Sequence, residues 1–275
     1  MPPLPHTLPH DPFRSDRREL LRAGLWLAAP LMLPAAHAAD VPNYPRAAFD
    51  AHSMPDLLKA LGLPTPVPSK DISLQAPELS EDGAVIPVSV SCALPGVQRL
   101  LLCLDKNPSM LAALFEPGPA VEASFSIRVK MQQTSSVHAI AVLADGRVFS
   151  ASREVRITLS GCVGAADMVS ERPGQPSLIR VQPAPGGAQV RALMKHDMES
   201  GQRKDESGRL VPTWHIEEVV ARLNGTPVMT LYWGPSVSRN PFLQFNLRDA
   251  KPGDRIAIAW TDSRGNRRSD EVAMP

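Results

Sequence analysis

The sequence predicts an all-β fold: two immunoglobulin-like β-sandwiches joined by a flexible linker, with one short N-terminal helix. Three observations predict it. Short runs of alternating apolar and polar residues recur at close spacing. Turn dipeptides separate them. The 29 prolines, about twice the usual 5% share, interrupt every stretch that could become a long helix. A length of 275 residues suits two small domains, and a hydrophobic fraction of 43% excludes disorder of the whole chain.

The elements follow in order. Residues 1–38 read as a targeting segment. Arg17-Arg18 precede Leu20-Leu21, an apolar run covers Ala23 to Leu33, and Ala36-His37-Ala38 offers a small-x-small cleavage site. The pattern resembles a twin-arginine signal peptide and implies export to the periplasm. About 11 apolar residues are too few to span a bilayer, which takes about 20. Next, Ser53 to Gly62 reads as a helix, with serine capping it, Asp56 in its first turn and glycine ending it. Pro64, Pro66 and Pro68 then hold the chain extended.

From Ile72 to Leu159 the pattern is strand-like, giving a first sandwich over residues 39–160. Ala84 to Cys92 alternates, Leu94-Pro95-Gly96-Val97 forms a turn, and Leu100 to Leu104 is a buried strand. Ser109 to Phe115 suits either a helix or an edge strand. Ala123 to Lys130, Val137 to Leu143 and Glu154 to Leu159 alternate again. Residues 161–187 are rich in Gly, Pro, Ser and Ala and read as the linker. A second sandwich covers 188–275, with hairpin turns at Asn224-Gly225 and at Asp262-Ser263-Arg264-Gly265.

Charge narrows the function. Residues 1–38 hold four arginines and three acids, which leaves 25 residues of each sign in the remainder. A neutral mature chain has no field to draw nucleic acid or an anionic membrane, so neither is an expected partner. Motifs for haem attachment, metalloproteases, nucleophile elbows and phosphate loops are missing from the sequence. No cofactor, catalytic residue or enzyme activity is therefore expected. His196, Met194 and Met198 could together form a soft copper site, but a core role suits them better, and no metal is expected. His215 reads as a satisfied core histidine; Asp205, Glu206, Glu217 and Glu218 read as a solvated face. The Trp233 to Phe242 segment is a candidate partner surface.

Three cysteines cannot all pair within one chain. Cys162 stands in Ser160-Gly161-Cys162-Val163-Gly164-Ala165, between two glycines that free the backbone. Small neighbours leave its thiol exposed, with an expected pKa of about 8.5. Such a thiol can be loaded by a partner enzyme, yet it lacks the fixed base that catalysis requires. Cys92 and Cys103 are either two buried small residues or a disulfide. A turn at Pro95-Gly96 pairs Cys92 with a residue near 99 rather than 103, which favours the first.

The run Val155 to Cys162 resembles the end of SoxY, the carrier subunit of the bacterial sulfur-oxidising (Sox) system, and Leu104 to Pro108 resembles that family's interior. Arg191 to Gly201, Trp233 to Phe242, Trp260-Thr261-Asp262 and Arg268 to Glu271 are similar to SoxZ, its partner subunit. The whole resembles a fused SoxYZ carrier of the type associated with quinoprotein dehydrogenases. That resemblance implies a carrier that holds thiosulfate- or sulfide-derived sulfur covalently on Cys162, with Gly161 and Gly164 in a flexible arm. It also implies three kinds of partner: a c-type cytochrome, a sulfate-releasing hydrolase and a sulfur dehydrogenase. Ser160, Val163 and Ala165 replace glycines of the family pattern, and Cys162 is interior rather than at a chain end. A non-catalytic assembly module for a quinoprotein dehydrogenase or cytochrome is the alternative reading.

Overall fold

The computed structural model of the chain describes residues 41–159 and 175–275. The 1–38 leader reading falls outside these residues. Two short helices open the described chain, α1 (Arg46–Phe49) and α2 (Met54–Leu61). Ser53 caps α2 by accepting from the Asp56 N–H, and Gly62 ends it in the left-handed region at φ 64°. The sequence expectation for this helix holds at both ends.

The first half supplies β1 (Val67–Pro68), β2 (Ile72–Gln75), β3 (Leu79–Asp82), β4 (Ile86–Cys92), β5 (Val97–Leu104), β6 (Leu111–Pro117), β7 (Ser124–Val129), β8 (Ser135–Leu143) and β9 (Val148–Leu159). The second half supplies β10 (Leu178–Ala184), β11 (Gly187–Leu193), β12 (Ile216–Leu223), β13 (Thr226–Trp233), β14 (Phe242–Arg248), β15 (Arg255–Asp262) and β16 (Arg267–Ala273). The all-β class is thus as predicted.

Two sheets form from these strands, and both run through both halves. The ten-stranded sheet has the order β1-β9-β8-β5-β6-β13-β12-β15-β16, with β3 also on β9. The six-stranded sheet has the order β10-β11-β14-β7-β4-β2. In the first, β6 meets β13 antiparallel, with Leu231 opposite Phe115 and Trp233 opposite Ala113. In the second, β14 meets β7, with Gln244 opposite Ser126. The two sandwiches are therefore welded edge to edge in both layers.

One core lies between the sheets and draws on both halves: Phe115 and Phe125 pack at 5.2 Å between centroids, with Phe245 and Trp233 in the same cluster. A smaller cluster occupies the outer face of the ten-stranded sheet, where Leu57, Phe49 and Val41 cover Leu101, Leu114 and Tyr232.

Four local expectations need correction. The Pro95-Gly96 turn does not close a hairpin: β4 and β5 belong to different sheets, so the connection arches from one layer to the other. Ser109 to Phe115 is neither helix nor edge, because β6 pairs with β5 on one side and β13 on the other. Leu178 to Ala184, placed in the linker by composition, is strand β10, paired with β11 along its length. Its Pro183 is tolerated because β10 is an edge strand. The Gly-Pro content there belongs to the hairpin turn at Gly186, φ 77°. Finally, the Trp233 to Phe242 segment is no free surface. Ser236 O accepts from Lys130 N at 2.7 Å, Ser238 N donates to Arg128 O at 2.9 Å, and Ser238 Oγ donates to Ala84 O at 2.8 Å. It lines the internal seam, because a chain leaving β13 beside β6 must pass over the ends of the first-half strands.

Gly234 marks a close approach in that seam. A Cβ there would stand 2.8 Å from Leu111 O and 2.9 Å from Phe49 Cδ1. Gly234→Ala is expected to cost about 1–3 kcal/mol through overpacking. Urea unfolding followed by tryptophan fluorescence checks this, and both halves should unfold in one transition in wild type and variant alike.

Candidate functional site

Cys162, Gly161 and Gly164 lie outside the described residues, so the site is built from the strands on either side of them. β9 is the last strand before Cys162, and its end is held firmly. β3 lies parallel to it, with Asp82 opposite Leu159 and Ser80 opposite Ile157. Arg156 N donates to Glu78 O at 2.9 Å, and Ile157 N donates to Thr134 Oγ1 at 3.0 Å. Each backbone group satisfied this way resists fraying, so the chain is fixed up to three residues before the cysteine.

On the far side, Ser177 N donates to Asp270 Oδ2 at 2.8 Å. Asp270 is gripped in turn by Arg268 at 2.7 Å. Burial raises the Asp270 pKa, but the hydrogen bonds from Arg268 and Ser177 outweigh it, and the net shift is downward. Its charge therefore persists beside Ser177. β9 and β16 lie toward opposite ends of the ten-stranded sheet.

The second half contains a buried polar hub. Asp262 is fully buried and accepts from Trp214 Nε1 at 2.7 Å, Asn266 Nδ2 at 2.8 Å, and the Arg264 and Asn266 backbone N–H groups at 2.9 Å. His196 Nδ1 accepts from Met198 N at 2.9 Å, so its other nitrogen carries the proton and points at Asp262 Oδ2, 3.3 Å away. Burial pushes the Asp262 carboxyl up; the hydrogen bonds from His196, Asn266, Trp214 and Arg264 win and hold it at about 2. Met198 Sδ accepts from Ile216 N, and Met194 sits in the core. Both ring nitrogens of His196 are thus committed to structure, as the core reading expects. No group of three His, Cys, Asp or Glu among the described residues is placed to hold a metal.

A family model for the sulfur oxidation protein SoxY matches residues 58–162, and one for the sulphur oxidation protein SoxZ matches 179–273. Together they span most of the chain. The chain belongs to the SoxY and SoxZ families, joined in that order. The sulfur carrier protein SoxY from Chlorobium limicola f thiosulfatophilum is 30% identical over 35% of this chain and 87% of that one, with a TM-score of 0.33. A superoxide reductase (neelaredoxin) from Ignicoccus hospitalis is 19% identical over 31% of this chain and 79% of that one, with a TM-score of 0.27. No curated protein matches.

Within the SoxY part, the remaining thiols are accounted for. Cys92 and Cys103 are both free, so the disulfide alternative does not hold. The reason is topological: Cys103 belongs to the outer cluster beneath the helices, whereas Cys92 packs at the margin of the core between the sheets. Burial raises the pKa of both thiols, far more for Cys103.

Two charged or polar residues of the SoxZ part depart from expectation. Glu217, assigned to a solvated face, is buried at 2% exposure and lies 3.5 Å from Arg46. A bulge between Ile216 and Glu218 breaks the alternation and turns it inward. Beside it, Tyr44 donates to Trp233 O at 2.9 Å; burial raises its pKa, and Glu217 raises it further. Asp205 and Glu206 are on the surface side as predicted, while Glu218 is half-buried. His215 is buried as expected, yet neither ring nitrogen has a hydrogen-bond partner among the described residues.

Desolvation, helped by nearby His196, Lys130 and Arg46, lowers the His215 pKa from 6.5 to about 3. The unfolded chain then binds a proton below pH 6.5 that the folded chain refuses. Stability is complete above that pH and falls on acidification until about pH 3. His215→Phe should flatten this slope and change stability at pH 7 by less than about 1 kcal/mol, since no hydrogen bond is lost. Denaturant midpoints measured across pH 3–8 check both statements.

Proposed function

We propose that the chain is a periplasmic sulfur-oxidation carrier that binds sulfur covalently on Cys162 and catalyses nothing by itself. One observation carries the reading: the SoxY match covers residues 58–162 and so ends on Cys162. The fold supports it, since β9 is clamped almost to the cysteine, giving the thiol a firm base. The family's second component is supplied in the same chain and welded to the first through both sheets.

The chemistry is simple to balance. A c-type cytochrome accepts two electrons while the Cys162 thiol loses its proton and bonds to the outer sulfur of thiosulfate. Hydrolysis of that adduct by a second enzyme releases sulfate and leaves one extra sulfur on Cys162. A dehydrogenase then oxidises this remaining sulfur. The carrier contributes a nucleophilic thiol and a defined surface beside it. Delivery to the periplasm by the twin-arginine-type leader brings the thiol to these enzymes, and Gly161 and Gly164 provide the backbone freedom that a partner pocket requires.

Two measurements test this. Incubation of the mature chain with thiosulfate and the loading cytochrome should give a sulfur-containing mass increase that Cys162→Ser abolishes. An unchanged mass, or an adduct retained in that variant, refutes the carrier. In the native protein a maleimide should modify Cys162 first, Cys92 slowly and Cys103 only after unfolding, because buried, high-pKa thiols are poor nucleophiles. Peptide mapping after short labelling times gives the order.

A further inference from the structure

Among the described residues, the strands of the six-stranded sheet place no carboxylate on its outer face. Side chains that alternate with the core residues of β10, β11, β14, β7, β4 and β2 face outward there. Strand register lines up one row straight across both halves: Arg180, Arg191, Gln244, Ser126, Ser89 and Gln75. Beside it lie Ser124, Ser91 and Ser73. Arg128 and Arg248 complete the charged set. Every charged side chain that the described strands place on this face is an arginine. At the margin, Glu122 accepts from Asn246 Nδ2.

Two features separate this from an ordinary solvated face. Arg180 and Arg191 are direct cross-strand partners, an arrangement that repels and destabilises a sheet unless an anion sits over it. None of the four guanidinium groups has a carboxylate within 4.0 Å among the described residues. The exposed SoxZ-side face of the ten-stranded sheet is built the other way. There Arg255 pairs with Glu271, and Arg267 and Arg222 act on Glu218.

Three of the four arginines are also held in place. Arg191 Nε donates to Gln244 Oε1 at 2.9 Å, Arg128 stacks over Phe242 at 4.9 Å, and Arg248 donates to Pro119 O and Val121 O. Fixed cations between short serine side chains lose little entropy on meeting a partner. A shallow polar hollow of about 100 Å³, lined by Ser89, Ser126 and Gln244, lies in the middle of the row.

We infer that this face is the docking surface for a protein partner with an acidic surface, recognised through the Arg180–Arg191 pair and the serine rows. The inference rests on the carrier reading and names the surface that such a carrier presents to its enzymes. Six strands about 4.8 Å apart, with about three outward residues each, give roughly 500 Å², which suits the small interfaces of transient encounters. β10, which carries Arg180, is also the first strand after Cys162 in the chain. A flat face is chosen for a protein over a small anion because the four arginines are spread across four strands rather than gathered around one point.

The test uses the full mature chain bearing Cys162→Ser, so that docking is read apart from chemistry, with the thiosulfate-loading c-type cytochrome of the same organism as probe. Association is followed by interferometry from low to high salt. Arg180→Glu/Arg191→Glu should slow association roughly ten-fold at low ionic strength, with the difference vanishing near 0.5 M salt. Arg222→Glu/Arg267→Glu, on the other sheet, should associate at the parent rate, and thermal melting confirms that both variants fold.

Parent-like association of the first variant, an equal loss in the second, or no association of the parent chain overturns the docking face. Loading of Cys162 in the unsubstituted chain can still succeed in each of those cases, which keeps the carrier reading distinct. Sedimentation with phosphatidylglycerol vesicles supplies the remaining arm. Binding by the parent that Arg180→Glu/Arg191→Glu removes would assign the face to a membrane and overturn the protein partner.

Discussion

Backbone pairing across the seam is the constraint on which the rest of the structure depends. An open sheet edge leaves N–H and C=O groups without partners. β6 would be such an edge of the SoxY part, and β13 of the SoxZ part; each satisfies the other. The same exchange occurs between β7 and β14 in the second layer. Once both pairings form, the two halves share one interior, and Phe115, Phe125, Trp233 and Phe245 pack as a single cluster. Side-chain burial follows from this backbone geometry.

Around the seam, polar groups are handled in two ways. Where they hold the joint together they are bonded: Asn107 Nδ2 reaches Ser236 Oγ, and Ser238 reaches both Arg128 and Ala84. Asp262 goes further, collecting donors from His196, Trp214, Arg264 and Asn266 until its charge is cheaper to keep than to neutralise. His215 is treated differently, as a neutral imidazole whose burial outweighs any benefit of protonation. The N-terminal residues add a third layer of restraint. Tyr44 and Arg46 reach across to Trp233 and Glu217, so a short segment of the first half caps the second.

A carrier benefits from this rigidity. On the proposed reading its chemistry resides in one thiol, and its selectivity in surfaces that keep a fixed relation to that thiol. Fusion of the two subunits removes the entropic cost of bringing them together, since the second pairing becomes intramolecular. It also turns the end of one subunit into a connection with two anchors, β9 on one side and Ser177 with Asp270 on the other. The six-stranded face crosses both halves, so only the joined chain presents it whole.

Local rules were enough to read much of this from the residues. The α2 caps at Ser53 and Gly62, the hairpin at Asn224-Gly225 and the strands from Ala123 to Lys130 are set by near neighbours, and each appears where sequence placed it. Cys162 as the candidate attachment site is read from its glycines and its family motif alone, and lies outside the described residues. What sequence could not show depends on which strand lies beside which. β6 became the middle of a sheet because β13 completes it. Leu178 to Ala184 became a strand because β11 offers an edge. Glu217 turned inward at a bulge whose register is set by β15. The free state of Cys92 and Cys103 follows from their different layers, and the acid-free face exists only once six strands from two halves are aligned. These are long-range pairings, and periodicity along one strand carries no record of its neighbour.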